Sequence, residues 1–183
     1  VSVVTATYDR AHTLPRLYES LLGQTFQDFE WVVVDDGSSD GTEELVRRWA
    51  ADSPFPIRYE WQSNQGRHVA LNTGVQLAGG RYCSMIDSDD WYRPDALERM
   101  LAAWESIPAE RRASFANVEG LCALTDGSVV GSGFPADVFD SDTFSIAVIH
   151  GMTGDTKGMY RRDVLREFLV GNAVVPGVTP RIE

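Results

Sequence analysis

The chain has 183 residues, 43% hydrophobic and 23% charged, the balance of a globular domain with a sizeable core rather than of a disordered chain. Sixteen Lys and Arg against 27 Asp and Glu give a formal charge of −11, which argues against nonspecific nucleic-acid binding and against resting on anionic lipid by net charge alone. Lys157 is the one lysine, so chemistry needing several lysines is excluded, a P-loop above all.

Val1–Thr7 is an apolar, β-branched run and predicts a first strand. Leu14, Leu17 and Leu21 recur at helical spacing, with Thr13 and Pro15 suited to a first turn, so Thr13–Gln24 predicts a helix. Glu30–Asp35 is a second strand, apolar on both faces at Val32-Val33-Val34. Asp40 and Glu43 form a capping-box pattern before a helix through Leu45, Val46 and Trp49. Ile57–Trp61 alternates as a third strand, Val69–Ala78 is helical up to Gly79-Gly80, and Arg81–Ile86 is a fourth strand. Pro94 opens a helix whose face is Leu97, Met100, Leu101 and Trp104.

Four strands separated by helices predict an α/β layout with a largely parallel sheet, whose ligands sit beyond the carboxyl ends of the strands. After about residue 107 the rhythm changes. Phe115–Leu124, the turn Thr125-Asp126-Gly127-Ser128 and Val129-Val130 predict a β-hairpin. Ser141–Ile149 suits a strand or a short helix equally, Met159-Tyr160 ends a strand, Arg162–Phe168 is a short helix and Val170–Glu183 a loop. Cys83 and Cys122 lie far apart in apolar surroundings and read as buried, inert thiols of a reducing compartment, with neither a disulfide framework nor a zinc spacing. No apolar run approaches a membrane span and no signal peptide is present. A start in a strand without Met, and an end at Glu183 without a closing element, suggest part of a longer polypeptide.

Three acidic loops follow predicted strands: Thr7-Tyr8-Asp9-Arg10 after the first, Asp35–Gly41 after the second and Asp87-Ser88-Asp89-Asp90 after the fourth. Asp87-Ser88-Asp89-Asp90 crowds three carboxylates into four residues, which suits Mg²⁺ or Mn²⁺ held together with a substrate's phosphates. The alternative is charge favouring the next helix's first turn. Asp35-Asp36-Gly37-Ser38 is compatible with gripping a base or ribose and equally with a turn into a capped helix. Asn64-Gln65-Gly66-Arg67 offers an Arg able to reach a diphosphate, or one that is merely solvated.

The order of these pieces says more than any one of them. Val1-Ser2-Val3-Val4-Thr5-Ala6-Thr7-Tyr8-Asp9-Arg10, Gln24–Glu30, Val32–Thr42, Asn64-Gln65-Gly66, Ala70–Gly74 and Asp87-Ser88-Asp89-Asp90-Trp91 resemble the family 2 glycosyltransferases of the GT-A fold. The resemblance covers roughly residues 1–100 and resumes faintly at Gly158–Leu165. Ala6 stands where the family usually has Pro or a small polar residue, a departure without expected effect.

The resemblance implies an inverting transfer of sugar from a nucleoside-diphosphate-sugar, most commonly a UDP-sugar. The acceptor is unspecified: carbohydrate, lipid-linked or protein. It implies Thr7, Asp9 and Asp36 on the base and ribose, Arg67 and Asp87 on the donor's diphosphate side, and Asp89, with Asp87 and Asp90, on Mg²⁺ or Mn²⁺. The family's base is a carboxylate downstream of the Asp-x-Asp; Glu183 fits that distance and Asp155 is the second choice. Residues 1–107 would then be the nucleotide-sugar half and 108–183 an acceptor-side β region of the same domain. His150 could reach the metal or diphosphate, and Phe115, Phe134, Phe139 and Phe144 could stack on a sugar; a structural role is favoured for each. The implied place is cytoplasmic, with the inner membrane face as a peripheral option.

Other classes fit less well. A haloacid-dehalogenase-type phosphohydrolase needs Asp-x-Asp at its first site, where the chain has Asp35-Asp36-Gly37. A nucleotidyltransferase needs a Gly-rich loop and Lys after strand one, and a dinucleotide-binding dehydrogenase needs Gly-x-Gly-x-x-Gly. A noncatalytic nucleotide-binding module is the remaining alternative, and retention of Asp87, Asp89 and Asp90 argues against it.

Overall fold

The computed structural model describes residues 1–137, 139–142 and 145–167, the Ala147 side chain excepted. Phe144, the expected loop Val170–Glu183 and with it Glu183 lie outside the described residues. The elements in chain order are β1 (Ser2–Thr7), α1 (Leu14–Leu22), β2 (Glu30–Asp35), α2 (Thr42–Asp52), β3 (Ile57–Trp61), α3 (Arg67–Leu77), β4 (Tyr82–Met85), α4 (Ala96–Ser106), β5 (Asn117–Leu121), β6 (Thr156–Arg161) and α5 (Arg162–Glu167).

One six-stranded sheet runs β3-β2-β1-β4-β6-β5. The first four strands are parallel, with Thr7 opposite Asp35 and Val4 opposite Met85. β6 runs antiparallel to β4, pairing Tyr82 with Arg161 and Ser84 with Met159, and β5 runs antiparallel to β6. Residues 117–161 thus extend the same sheet.

Strand alternation builds two apolar layers. Val3, Trp31 and Val33 face Leu14, Leu17 and Leu21 of α1, Val46 of α2 and Leu97, Met100 and Trp104 of α4. Val4, Val32 and Val34 face Ala70 of α3, and Leu165 of α5 packs at that layer's margin. Gly74 lets α3 approach closely, because a Cβ there would lie 2.4 Å from Cγ1 of Val4. The two deepest indoles find partners: Trp31 Nε1 donates to Thr5 Oγ1 at 3.0 Å and Trp104 Nε1 to the Met159 carbonyl at 3.0 Å.

Several boundaries differ from the sequence reading. The capping box does not form, because Gly41, in the left-handed region at φ 87°, takes the N-cap position of α2. Asp40 instead accepts from Thr42 N at 3.2 Å, Thr42 Oγ1 at 2.6 Å and Ala11 N at 2.9 Å, while Glu43 pairs with Arg47. α3 starts two residues early, at Arg67, and α4 begins at Ala96, past Pro94. The predicted hairpin is reduced to an Ala123–Val129 bridge around the Gly127 turn, since β5 takes β6 as its strand partner. Ser145–Ile149 is one turn of π-helix, and Cys122 is only partly buried.

Glu30 ties the start of β2 to neighbouring backbone, accepting from Ser2 Oγ at 2.7 Å and Gly79 N at 2.6 Å. Burial pushes its carboxyl up, but these hydrogen bonds and the Arg58 charge outweigh it and hold it below the usual range. A lowered carboxyl pKa stabilises the fold above the ordinary Glu range, and that contribution fades as pH falls through the lowered value. Glu30→Gln is therefore expected to be less stable than wild type near pH 7, with a smaller gap at about pH 3, below the ordinary Glu range. Urea unfolding at both pH values checks this, and a gap that stays constant contradicts it.

Candidate active site

The carboxyl ends of β1, β2 and β4 carry the three acidic loops. At β1, Thr7 is buried and its Oγ1 has no hydrogen-bond partner, alone among buried side-chain polar atoms of the described residues. A buried hydroxyl without a partner costs about 1–3 kcal/mol, so the position suits a group that a ligand satisfies. Asp9, at φ 50°, is the one non-glycine residue in the left-handed region among those described. That conformation lets Asp9 Oδ1 accept from Ser39 N at 2.7 Å while Asp9 N donates to Ser38 Oγ at 2.8 Å. The loops after β1 and β2 are thereby locked together.

The two acids ending β2 divide the work. Asp35 is fully buried; it accepts from Ser38 N at 2.8 Å and Tyr59 OH at 2.6 Å, a turn-forming role. Burial and the Asp35 carboxylate push the Tyr59 phenol up, so it stays a donor. Asp36 is also buried. Its Oδ1 accepts from Gln62 Nε2 at 2.7 Å and Gln65 N at 3.0 Å, and its Oδ2 from Gly66 N at 2.8 Å. This carboxylate fixes the segment that enters α3. Gly66 at φ 94° then delivers Arg67 as the helix's first residue.

Arg67 Nε donates to Asp87 Oδ1 at 2.7 Å, and Arg67 Nη2 shares the same oxygen. From the other side Lys157 Nζ, on β6, lies 2.6 Å from Asp87 Oδ2 and 3.3 Å from Asp90 Oδ2. Burial pushes the Asp87 carboxyl up, but Lys157 and Arg67 outweigh it and hold it below the usual range. Asp87, and after it Asp90, in turn raise the half-buried Lys157 against its own desolvation, so Lys157 and Asp87 are both charged. Contacts thus run unbroken from Asp36 through Gly66 and Arg67 to Asp87, Lys157 and Asp90.

Asp89 differs from its neighbours. Its carboxylate is exposed and has no partner among the described residues, while its backbone carbonyl accepts from Arg16 Nη2 at 2.6 Å. The Arg16 guanidinium also lies 3.8 Å from the centre of the Trp91 ring, pinning the loop to α1.

No group of three or more His, Cys, Asp or Glu side chains among the described residues is placed to hold a metal by itself. Both oxygens of Asp87 are engaged by cations. Mg²⁺ and Mn²⁺, however, need only one or two protein carboxylates when phosphates supply further oxygens. Asp89, with Asp90 beside it, fits a cation that arrives with a diphosphate and does not form a self-sufficient cage.

Asp155 is exposed just before β6, at the sheet end that carries Asp87, and its carbonyl accepts from Cys122 N at 3.3 Å. His150 is exposed and meets Phe139 edge-on at 4.8 Å, while Phe115 packs against the core. Sequence reasoning missed Lys157 and Arg16. Lys157 stood out only as the lone lysine, and nothing local placed it 70 residues back against Asp87. Tyr8, 51% exposed between Thr7 and Asp9, was also passed over; a large exposed ring at a strand's carboxyl end was its signal.

A mostly parallel sheet with this acidic loop after β4 and antiparallel strands beyond it is the GT-A architecture. The model of the family "Glycosyl transferase family 2" matches residues 2–169, and the chain belongs to that family. It is 34% identical over 106 residues to an uncharacterised glycosyltransferase of Nostoc sp., covering 58% of this chain and 33% of that protein. It is 39% identical over 101 residues to a chondroitin synthase of Escherichia coli, covering 55% of this chain and 15% of that protein. The chain therefore spans a third or less of the length of these relatives. Among solved structures, S. aureus TarS (residues 1–349) in complex with UDP aligns at TM-score 0.66 and 24% identity, over 91% of this chain and 48% of that one. A Pyrobaculum calidifontis mannosyltransferase in complex with GDP-Man and Mn²⁺ aligns at TM-score 0.66 and 22% identity, over 91% of this chain and 46% of that one. At these identities the likeness carries the fold.

Proposed function

We propose that this chain is the donor-binding and catalytic region of a glycosyltransferase that moves a sugar, with inversion, from a nucleoside-diphosphate-sugar to an acceptor hydroxyl. The observation that carries this reading is the convergence of Arg67 and Lys157 on Asp87, next to the unpartnered carboxylate of Asp89. Two cations and one open carboxylate are what a diphosphate travelling with a divalent cation requires. A UDP-sugar is the leading donor, in keeping with the nucleotide bound in the TarS complex. The acceptor is a carbohydrate, a lipid-linked saccharide or a protein, selected by residues 108–183.

Each residue then has a task. Thr7 and Asp9 line the nucleoside end, and Asp36 shapes that end through the segment it holds. Arg67 and Lys157 face the leaving diphosphate, and Asp87 positions both. Asp89, with Asp90, would hold Mg²⁺ or Mn²⁺, which would supply Lewis-acid stabilisation of the leaving group. A carboxylate takes the proton of the acceptor hydroxyl as its oxygen attacks the anomeric carbon opposite the diphosphate. Glu183 is the assigned base and Asp155 the alternative. Among the described residues no helix is long and apolar enough to cross a membrane.

Two substitutions test the assignment. Thr7→Val removes an unsatisfied hydroxyl and is expected to leave stability unchanged or raised, while weakening UDP binding by about 3- to 10-fold. Calorimetric UDP titration beside thermal unfolding checks this. A variant that is destabilised with unaltered UDP affinity makes Thr7 structural. Glu183→Gln in the full-length protein is expected to abolish transfer and leave donor binding near wild type, since the base acts only in the transition state. Transfer at a normal rate would pass the role to Asp155 or to another acid.

A further inference from the structure

A second cluster of charge lies at the other end of the sheet. A cleft of about 880 Å³ opens there, lined by Arg81, Arg112, Arg161, Arg162 and Arg166 with Asp163 as the only acid among the described residues. Arg81 immediately precedes β4 and Asp87 lies just beyond it, so six steps along the chain, about 20 Å if extended, separate the cleft from the donor site. Antiparallel β6 repeats the polarity, placing Arg161 opposite Tyr82 and Lys157 at the far end.

Five guanidiniums in one cleft of a chain with net charge −11 need a physical reason. Arg162 and Arg166 stand four apart on α5, where like charges repel. Only Arg161 is neutralised, by Asp163 at 2.5 Å. Arg81, Arg112, Arg162 and Arg166 have no ion-pair partner among the described residues.

Three of these four are nevertheless held. Arg112 donates to the Ile107 and Glu105 carbonyls at 2.8 and 2.7 Å. Arg166 donates to the Gln76 carbonyl at 2.7 Å, and Arg162 to that of Ala78. Arg81 lies over the Tyr82 ring, 5.2 Å from its centre. A carbonyl orients a guanidinium without cancelling its charge and leaves most of its five donors open. Four of the cleft's guanidiniums are therefore uncompensated forked donors, and Arg112, Arg162 and Arg166 among them are pre-oriented.

We propose that this cleft is a second anion site that takes a phosphate-bearing ligand carrying several negative charges. The reading does not rest on the donor site. Forked guanidiniums match phosphate oxygens two at a time, and four unneutralised cations call for more charge than one carboxylate brings. Phosphate of this kind can come from a soluble phosphorylated ligand or from a phospholipid headgroup at a membrane surface.

The test uses inorganic pyrophosphate in EDTA by calorimetry, and sedimentation with phosphatidylglycerol and phosphatidylcholine vesicles. It compares wild type, Arg81→Gln/Arg166→Gln, Arg81→Lys/Arg166→Lys and, as a donor-site control, Arg67→Gln. Both cleft arginines are exposed, and unfolding midpoints check that each variant folds. A soluble source gives saturable pyrophosphate binding that the Gln pair weakens roughly tenfold or more, the Lys pair weakens less and Arg67→Gln leaves intact. A lipid source gives sedimentation with phosphatidylglycerol but not phosphatidylcholine, lost in the Gln pair. Absence of both kinds of binding overturns the proposal, as does binding indifferent to the Gln pair. Tricarballylate binding as tightly as pyrophosphate overturns the phosphate assignment.

Discussion

Asp89→Asn is expected to lower sugar transfer by about 10²- to 10³-fold, the scale on which removal of one charge-stabilising group raises a barrier. Its neighbours explain why the effect should concentrate here. Asp87 already faces Arg67 and Lys157, and Asp90 lies within 3.3 Å of the Lys157 ammonium. Of the three acids in this loop, only Asp89 offers a carboxylate without a competing cation. Because that side chain is exposed and supports nothing around it, the substitution should leave the unfolding midpoint near wild type. The coupling between Mn²⁺ and UDP should fall with the rate. Paired UDP titrations in Mn²⁺ and in EDTA read that coupling directly. A variant that keeps both coupling and turnover would remove Asp89 from the metal role.

Asp36→Ala should act on two levels at once. The carboxylate is buried and accepts from Gln62 Nε2, Gln65 N and Gly66 N, so its loss leaves three donors without a partner. Each unsatisfied donor costs about 1–3 kcal/mol, less where the segment relaxes toward water. Relaxation also frees Gly66, and with it the placement of Arg67 against Asp87. Stability and UDP affinity are therefore expected to fall together, affinity by at least about tenfold. Gln62→Ala separates direct contact from shaping, since it loosens the same segment and spares the carboxylate. A Gln62→Ala variant that binds UDP normally while Asp36→Ala does not would mean that Asp36 touches the nucleotide itself. An Asp36→Ala variant with unchanged stability would contradict the clamp.

The first hundred residues were legible largely because β1, β2 and β4 are buried on both faces, which writes continuous apolar runs such as Val32-Val33-Val34 into the chain. Helix starts were less legible where backbone conformation, not a capping side chain, sets them. Gly41 and Gly66, both left-handed, begin α2 and α3 without a side-chain cap, so the capping-box pattern misled and Arg67 was placed before its helix. β6 was visible only at Met159-Tyr160, because its half-exposed, mixed sequence carries little periodicity. Its antiparallel pairing with β4 joins residues far apart in the chain, from Ser84 with Met159 to Tyr82 with Arg161, and that pairing alone brings Lys157 to the acidic loop. The acidic motifs themselves were plain in the sequence. What each acid does was not, since Asp35 and Asp36 differ only in partners drawn from Ser38, Tyr59 and the segment before α3.

The central claim is that this site turns over a nucleoside-diphosphate-sugar with help from a divalent cation. The most direct measurement is release of nucleoside diphosphate by the full-length protein from a panel of UDP- and GDP-sugars, in Mn²⁺ and in EDTA. The account predicts release from one donor class that depends on Mn²⁺ and is lost in Asp89→Asn. Release that proceeds equally in EDTA, or no release from any donor although nucleotide binds, would contradict it.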